Sequence, residues 1–294
     1  MIRLLITGAN SFVGESVEKH LKNHPKDYQI DTLDMRGERW RDADFCGYDS
    51  VLHVAGIAHV RANPHLTPLY EAVNRDLAVQ TAKKARESGV KQFVFMSSMI
   101  VYGNAAPVGK RRSIGQNEPE CPANAYGRSK LEAERELLRL SNAEFHVAVL
   151  RPPMIYGPGC KGNYTTLARY ARRFCLFPNF PNRRSALYIE NFAEFVRQLL
   201  QSGEGGVFFP RNAQTVSTTD FMREISIAHG KKMYFPRCFN PLLQWMGRLN
   251  SIRRAFGDMV YGSDVPDWPG NYQVCDFSQS IQRTESNAKG ANAV

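Results

Sequence analysis

The segment "ITGANSFVGE", Ile6–Glu15, joins a short apolar run to the first stretch with helical spacing. Gly8 allows a tight turn, and Gly14 allows the following helix to approach a sheet closely. Backbone N–H groups at the start of that helix would then face a pyrophosphate. Ser11 stands where such loops usually carry a glycine, and its hydroxyl can bond a phosphate. The residues predicted to contact a dinucleotide here are Gly8, Asn10, Ser11, Phe12, Val13 and Gly14.

Strand-like and helix-like segments alternate along the first half of the chain. The strands are predicted at Ile2–Ile6, Tyr28–Leu33, Val51–Val54, Phe93–Met96 and Phe145–Leu150, and the helices at Ser11–Asn23, Pro68–Ser88 and Asn124–Leu140. This order predicts an α/β fold, a Rossmann-type doubly wound parallel sheet with a smaller C-terminal substrate lobe. The alternation loosens after about residue 151. We therefore expect a dinucleotide-binding domain over 1–160, with about 183–202 returning to it, and a mainly substrate-binding lobe over 161–294.

Composition and charge narrow the class of protein. The chain has 294 residues, of which 43% are hydrophobic and 22% are charged, as in an ordinary globular protein. No apolar run approaches the roughly 18 residues of a membrane span, the N-terminus lacks the plan of a signal peptide, and the six cysteines are scattered. These features predict a cytoplasmic protein with reduced thiols and no membrane span.

The net charge of +10 allows three interpretations: nucleic-acid binding, an anionic substrate such as a nucleotide diphosphate, or a basic solvated surface. No arginine-rich block or basic stripe interleaved with aromatic residues stands out along the chain. The sequence therefore predicts no nucleic-acid partner.

Asp34 lies about 20 residues beyond Gly14, at the end of the second predicted strand. A carboxylate at this place can hold a ribose 2′-OH, which favours NAD. Arg36, two residues further on, can instead accommodate a 2′-phosphate, so NADP stays possible. A simple turn role for Asp34 is the alternative.

The segments "FMSSMIVYGN", Phe95–Asn104, and "AYGRSK", Ala125–Lys130, carry the polar groups of a candidate catalytic site. Ser98 follows a strand that should end at the same sheet edge as the phosphate loop. Tyr126 and Lys130 are four residues apart, so on a helix they share one face. A lysine ammonium near a phenol lowers the pKa of that phenol, which can then exchange a proton with a sugar hydroxyl. A chance surface pair is the alternative.

Taken together, "TGANSFVG", "LHVAGIAHV", "FVFMSSMIVYG", "AYGRSK", "LRPPMIYGPG" and "NRRSALYIEN" resemble the extended short-chain dehydrogenase/reductases, in the NAD-dependent nucleotide-sugar epimerase/dehydratase branch. The resemblance implies that Ser98, Tyr126 and Lys130 are the catalytic trio. It also implies that Lys130 binds the nicotinamide ribose, and that Ala55, Gly56 and Pro153 contribute to the cofactor site.

The same resemblance extends to the substrate. Ser98 and Asn163 fall where the family contacts its nucleotide sugar, Arg184 where it clamps the diphosphate, and Phe177 near the nucleotide base. A solvated basic turn is the alternative for Arg184. A homodimer through the two long predicted helices is also implied by the resemblance.

The chain departs from the family pattern at four positions. Met154 replaces an asparagine that contacts the diphosphate, and Ala58 replaces a lysine of some hexose epimerases, which argues against a standard UDP-galactose 4-epimerase site. Met99 and Ile100 stand where 4,6-dehydratases carry an Asp and a Glu, and neither side chain can exchange a proton. No 4,6-dehydratase activity is therefore predicted.

Four other polar residues have competing interpretations. His20 and His24 are spaced to share a metal, but no third ligand is evident and a solvated helix end is favoured, so no metal is predicted. His53 is interpreted as a core histidine with a satisfied hydrogen bond. Asn74 either reaches the active site through a water or bridges backbone groups.

The function predicted from these residues is hydride transfer at C4 of a nucleotide-linked hexose, in an epimerase with a UDP-linked substrate. A one-way NAD(P)H-dependent 4-keto-sugar-nucleotide reductase is the alternative. A dinucleotide-binding sensor or scaffold without catalysis is a third hypothesis from a different class.

Overall fold

A computed structural model describes residues 1–58 and 66–290. Its strands are β1 (Ile2–Thr7), β2 (Tyr28–Leu33), β3 (Ser50–His53), β4 (Gln92–Met96), β5 (Ser113–Ile114), β6 (His146–Leu150), β7 (Met154–Tyr156), β8 (Ala186–Tyr188), β9 (Gly206–Phe208) and β10 (Val260–Tyr261). Six of them form one sheet in the order β2-β1-β3-β4-β6-β9, and every neighbouring pair is parallel. The predicted doubly wound α/β fold is confirmed.

The helices are α1 (Phe12–Leu21), α2 (Thr67–Tyr70), α3 (Leu77–Glu87), α4 (Ala125–Leu138), α5 (Asn163–Arg173), α6 (Ile189–Ser202), α7 (Thr218–Ala228), α8 (Asn240–Trp245), α9 (Asn250–Phe256) and α10 (Phe277–Gly290). A π-helical segment, Glu71–Asp76, connects α2 to α3, and a short 3-10 turn, Met99–Tyr102, follows β4. Within 1–58 and 66–290, no helix is both long and apolar enough to cross a membrane.

Both faces of the sheet are covered because successive strand residues point to opposite sides. On β1, Leu4 belongs to a buried cluster with Val17 of α1, whereas Leu5 belongs to a cluster with Ala82 of α3. α1 packs beside α6 on one face, and α3 packs beside α4 on the other. Burial on both faces explains why these strands are continuous apolar runs.

The strand order places a crevice at the carboxyl end of β1. The chain leaves β1 toward β2 on one side and returns to β3 on the other, and ligands of open α/β sheets bind where this reversal occurs. α6 and β9 return to the sheet, so the returning segment is 189–208, whereas 183–202 was predicted. β9 extends it because it pairs with the otherwise open edge of β6.

Candidate functional site

The turn after β1 has the geometry of a phosphate loop. Gly8 has φ +114° and Asn10 has φ +62°, both in the region that favours glycine. A Cβ added to Gly8 would lie 2.6 Å from the backbone nitrogen of Ala55, so a side chain there would collide with the end of β3. At Gly14 an added Cβ would lie 3.2 Å from Cγ2 of Val54, which shows how closely α1 approaches the sheet.

Ser11 is the N-terminal cap of α1. Its Oγ accepts a hydrogen bond of 3.1 Å from the Gly14 N–H, so this oxygen closes the helix end. The O–H proton of Ser11 remains a donor, and the predicted phosphate contact is compatible with the cap. Phe12 and Val13 begin the helix directly beyond it.

Asp34 and Arg36 form an exposed ion pair at the end of β2. Arg36 donates to Asp34 from its backbone N–H at 3.0 Å, and Nη2 lies 2.6 Å from Oδ2. Hydrogen bonds from the side chain and the backbone of Arg36 lower the pKa of Asp34 to about 2. The carboxylate is therefore ionised at neutral pH. Asp34, which favours NAD, and Arg36, which could accept NADP, are bonded to each other as one ion pair.

Asn74 fixes the segment that follows β3. It is fully buried in the π-helical segment, accepts from the Ile57 N–H at 2.9 Å, and donates to the Ile57 carbonyl at 3.1 Å and to Oγ of Ser129 at 3.2 Å. Of its two predicted roles, the structure gives the bridge between backbone groups. This bridge holds Ala55 and Gly56 at the mouth of the crevice.

His53 lies in the core, as predicted. Its Nδ1 is 2.8 Å from Oγ1 of Thr7, but its buried Nε2 has no hydrogen-bond partner among the residues that the structure describes. The hydrogen-bond requirement is thus only half met. Burial, with a smaller contribution from the charge of Lys130, lowers the pKa of His53 to about 3, and the ring is neutral.

The predicted trio meets at the carboxyl end of β4. Ser98 caps the 3-10 turn, with Oγ 3.3 Å from the Ile100 N–H, and its hydroxyl lowers the pKa of the neighbouring Tyr126 phenol. Asn124 caps α4, so that Tyr126 lies in its first turn and Lys130 one turn further on. The structure therefore assembles these three residues beside the phosphate loop.

The expectation that Lys130 lowers the pKa of Tyr126 is wrong for this arrangement. Burial raises the pKa of Tyr126 to about 12, the hydrogen bond with Ser98 opposes the rise, and Tyr70 adds to it. Nζ of Lys130 instead donates to the Met96 carbonyl at 2.7 Å and lies 4.6 Å from the centre of the Phe95 ring. The phenol is therefore protonated at neutral pH.

Lys130 is a buried cation. It is 5% exposed, and burial lowers its pKa to about 8, while the charge of Glu134 partly offsets this effect. A Cβ added to Gly56 would come within 3.3 Å of Nζ, so the glycine leaves space at the ammonium group. Of its three N–H donors, one is used by Met96, and the others are available to a ligand in that space.

A buried network behind the trio was missed by the sequence analysis. Arg151 donates to Oε2 of Glu134 from Nη2 at 2.6 Å, and to the Tyr102 hydroxyl at 2.6 Å. Ser97 donates to the other carboxylate oxygen of Glu134. The available signal was the spacing of Tyr126, Lys130 and Glu134 at intervals of four, which places all three on one helical face.

The predicted substrate residues lie outside the six-stranded sheet, on α5 and in the segment between α5 and β8. Asn163 is exposed at the first position of α5, where backbone N–H groups are free of helical partners. Arg184 is half-buried, donates from Nη1 to the Arg254 carbonyl at 2.5 Å, and has a pKa lowered by burial. Phe177 is 7% exposed and stacks on Phe256 at 5.5 Å, so it forms part of the core. A nucleotide-base contact by Phe177 stays a prediction.

Three further predictions concern residues away from the trio and the substrate contacts. Met99 is 5% exposed and belongs to an apolar cluster with Tyr261, and Ile100 is half-buried beside it. Pro153 is buried between β6 and β7. His20 pairs with Glu194 at 2.9 Å, and no cluster of potential metal ligands occurs in the described ranges.

Comparisons with known proteins agree with this geometry. The model of the NAD dependent epimerase/dehydratase family matches residues 4–208. The UDP-glucose 4-epimerase of Vibrio cholerae is 29% identical over 287 residues, which cover 90% of this chain and 84% of that protein.

Two solved structures share the fold over nearly the whole chain. RMD from Pseudomonas aeruginosa, complexed with NADPH, has a TM-score of 0.77 and 21% identity over 99% of this chain and 98% of that one. MoeE5 in complex with UDP-glucose and NAD has a TM-score of 0.73 and 18% identity over 99% and 100% of the two chains. At these identities the likeness concerns the fold alone.

Proposed function

Because the chain belongs to the NAD dependent epimerase/dehydratase family, we propose that it is an NAD-dependent nucleotide-sugar 4-epimerase acting on a UDP-linked hexose. The observation that carries this proposal is the grouping of Ser98, Tyr126 and Lys130 at the carboxyl end of β4, beside the Gly8–Gly14 loop. A hydroxyl, a phenol and an ammonium at that edge suit removal of a hydroxyl proton as a hydride departs.

The residues present fit a dinucleotide. Gly8 lets the loop pass against the end of β3, Gly56 leaves the Lys130 ammonium uncrowded, and the N-terminus of α1 offers N–H groups to a pyrophosphate. Asp34 and Lys130 would hold the two riboses. Bound NAD would supply the hydride acceptor. The ionised carboxylate of Asp34 repels a 2′-phosphate, which favours NAD, while Arg36 leaves NADP possible.

Tyr126 is the proposed acid/base, with Ser98 as its hydrogen-bond partner. Since burial raises the pKa of Tyr126 to about 12, the phenol needs a nearby positive charge before it can act as a base at neutral pH. Lys130 is a cation one helical turn away. Its ammonium group, however, is hydrogen-bonded to the Met96 carbonyl at the end of β4 and not to the phenol. We propose that Lys130 changes partner when the cofactor binds.

Arg184 and Asn163 are the proposed contacts for the diphosphate of the substrate. The guanidinium of Arg184 uses one donor on the Arg254 carbonyl, and no carboxylate lies within ion-pair distance of it among the described residues. A partly buried guanidinium without a carboxylate suits phosphate oxygens.

One observation favours the second candidate, a one-way 4-keto-sugar-nucleotide reductase. A phenol with a pKa of about 12 is protonated at neutral pH, which is the state that donates a proton to a carbonyl oxygen during reduction. The epimerase must start from the opposite state of the same residue. Both reactions use the same trio.

A 4,6-dehydratase activity is not proposed. Elimination of water needs an acid and a base besides Tyr126, and the two positions after Ser98 are Met99 and Ile100. The side chains of Met99 and Ile100 carry no exchangeable proton. Met99 is also enclosed by an apolar cluster.

The test is purification followed by mass spectrometry of any copurified nucleotide and assay against a panel of UDP- and dTDP-hexoses. An epimerase retains its cofactor and interconverts C4 epimers without added NAD(P)H. A reductase loses its cofactor and consumes NAD(P)H in equal amount with a 4-keto sugar. Dinucleotide binding without turnover of any sugar would contradict both and favour the sensor hypothesis.

A further inference from the structure

The net positive charge of the chain comes from two segments. Residues 161–184 and 231–257 together contain twelve Lys and Arg and no Asp or Glu. The rest of the chain has 26 Lys and Arg against 28 Asp and Glu and is therefore slightly acidic. The positive charge is therefore concentrated in one part of the chain rather than spread evenly over it.

The fold joins these two segments into one surface, which we call the basic lobe surface. Tyr234 donates its backbone N–H to the Cys175 carbonyl at 2.8 Å, and Phe177 donates to the Tyr234 carbonyl at 3.0 Å. Further along, the Arg184 side chain donates to the Arg254 carbonyl. The two segments are therefore adjacent over most of their length, although about fifty residues separate them in sequence.

Apolar side chains are exposed on the same surface. Of the twelve large hydrophobic side chains that are exposed among the described residues, eight lie in these two segments. Trp245 is 83% exposed, and Leu242 and Leu249 are 52% and 53% exposed, close together around α8. Tyr234 and Phe174 add exposed aromatic rings. Single exposed hydrophobic residues are ordinary, but a cluster rimmed by cations marks an interaction surface.

The cations of the basic lobe surface have almost no acidic partners, although Arg184 and Lys231 donate to backbone carbonyls and Arg253 donates to Asn250. In the described part of the chain only Arg172 lies within ion-pair distance of a carboxylate, Glu285 at 3.9 Å. Self-association is disfavoured because the two copies would bring like charges together. Nucleic acid would satisfy the charge, but it offers little to exposed Leu242 and Leu249. An anionic lipid surface satisfies both, since cations bind the headgroups while Trp and Leu enter the interface.

We propose that the basic lobe surface docks peripherally on an anionic phospholipid bilayer, with α8 and Trp245 at its centre. Asn163 and Arg184, the proposed diphosphate contacts, both lie within residues 161–184, so docking would bring them close to the headgroups. The proposal rests on charge and exposure and is independent of the reaction that the crevice carries out.

Sedimentation with vesicles tests it directly, using the full-length chain. Vesicles of phosphatidylcholine with phosphatidylglycerol should bind the protein, vesicles of phosphatidylcholine alone should not, and added salt should weaken the binding. Trp245→Ser should reduce binding, whereas Leu69→Ser, which removes a 46% exposed side chain elsewhere, should not.

A second pair of variants separates position from net charge. The double variant Arg237→Glu, Arg248→Glu on the basic lobe surface should lower the affinity for the anionic vesicles at least about 30-fold. This estimate takes about one kilocalorie per mole of binding free energy for each of the two basic residues lost. Lys83→Glu with Arg86→Glu, on α3, changes the net charge equally and should have a much smaller effect. Thermal melting checks that each variant is folded.

The outcomes are distinct. Equal binding to both vesicle types, or equal loss with the α3 variants, would overturn the proposal. Tight binding to duplex DNA without binding to vesicles would also overturn it. So would a protein that does not bind vesicles but forms a dimer in light scattering, if Trp245→Ser dissociates that dimer. Sugar turnover does not enter any of these measurements, so failure of the proposed function leaves the result interpretable.

Discussion

Arg151 and Glu134 form a buried ion pair, with Nη2 and Nε of the guanidinium 2.6 Å and 3.0 Å from the same carboxylate oxygen. The pair joins the end of β6 to α4, and Ser97 links it to the end of β4. Ser97 is adjacent to Ser98, and Glu134 is one turn beyond Lys130. The ion pair therefore connects α4 and the end of β4, which carry the proposed catalytic trio, to the end of β6.

Removing one member of this pair should be far more costly than removing both. Arg151→Met leaves the buried Glu134 without its cation, and we expect it to lower the free energy of unfolding by about 3–5 kcal/mol. Glu134→Leu should cost less, because Arg151 keeps the part-exposed Glu120 at 2.8 Å as a partner. The double variant should lose clearly less than the sum, because the one carboxylate that then lacks its cation, Glu120, is 31% exposed to solvent. Chemical denaturation of the four proteins measures the coupling, and additive losses would contradict it.

Glu134 should also influence the pH dependence of turnover through Lys130. The carboxylate raises the pKa of Lys130, which burial has lowered to about 8. If the ammonium form is required, activity falls as the pH rises through that pKa. Glu134→Gln lowers the pKa of Lys130 further, so the alkaline limb of the kcat profile should move to lower pH.

The matched control for this profile is Glu132→Gln on the same helix, where the carboxylate pairs with Arg75 at 2.9 Å. It should leave the alkaline limb in place, and Glu134→Asp should restore most of it. An alkaline limb that does not move in Glu134→Gln would remove Glu134 from the tuning of Lys130.

Tyr126→Phe should keep the fold and the cofactor affinity but lower kcat by roughly 10²–10⁴-fold, the usual contribution of one positioned acid/base. Steady-state kinetics and calorimetric cofactor titration check the two expectations. Tyr48→Phe is the control, because its hydroxyl bonds Asp31, away from the trio. Near-normal turnover in Tyr126→Phe would exclude the phenol from the chemistry.

Asp34 should make the chain prefer NAD to NADP. Its carboxylate is ionised and repels a 2′-phosphate, whereas Asp34→Asn removes that charge and releases the guanidinium of Arg36. We expect this variant to shift the NADP-to-NAD affinity ratio toward NADP by roughly tenfold, or about 1.4 kcal/mol. Glu38→Gln, which removes another carboxylate of the same loop, serves as the control. Unchanged discrimination by Asp34→Asn would mean that Asp34 does not set it.

No 4-keto-6-deoxy sugar should form from UDP- or dTDP-hexoses with NAD in deuterated water. Met99 and Ile100 provide neither the acid nor the base that elimination across C5 and C6 requires. Mass spectrometry of the products checks this, with a known 4,6-dehydratase run in parallel. A deuterated product formed at a comparable rate would show that another group performs the elimination.

The sequence by itself determined five of the six strands of the sheet, the turn after β1 and the positions of the residues proposed as the trio. Gly8, Ser98, Tyr126 and Lys130 were predictable because a strand, a tight turn and one helical face are local features, set by spacings of a few residues. Parallel strands then bring their carboxyl ends to one edge, so local pattern and general topology were sufficient to place these residues together.

Only the tertiary structure decided what depends on burial and on distant partners. The pKa of Tyr126 rises because the fold removes the phenol from water, and Lys130 bonds Met96 because β4 ends beside α4. The ion pair of Arg151 with Glu134 joins residues on different elements. Likewise, the basic lobe surface exists because backbone pairing brings 161–184 against 231–257, and neither segment reads as a basic stripe alone. Desolvation and long-range pairing are properties of the packed chain, and no local spacing encodes them.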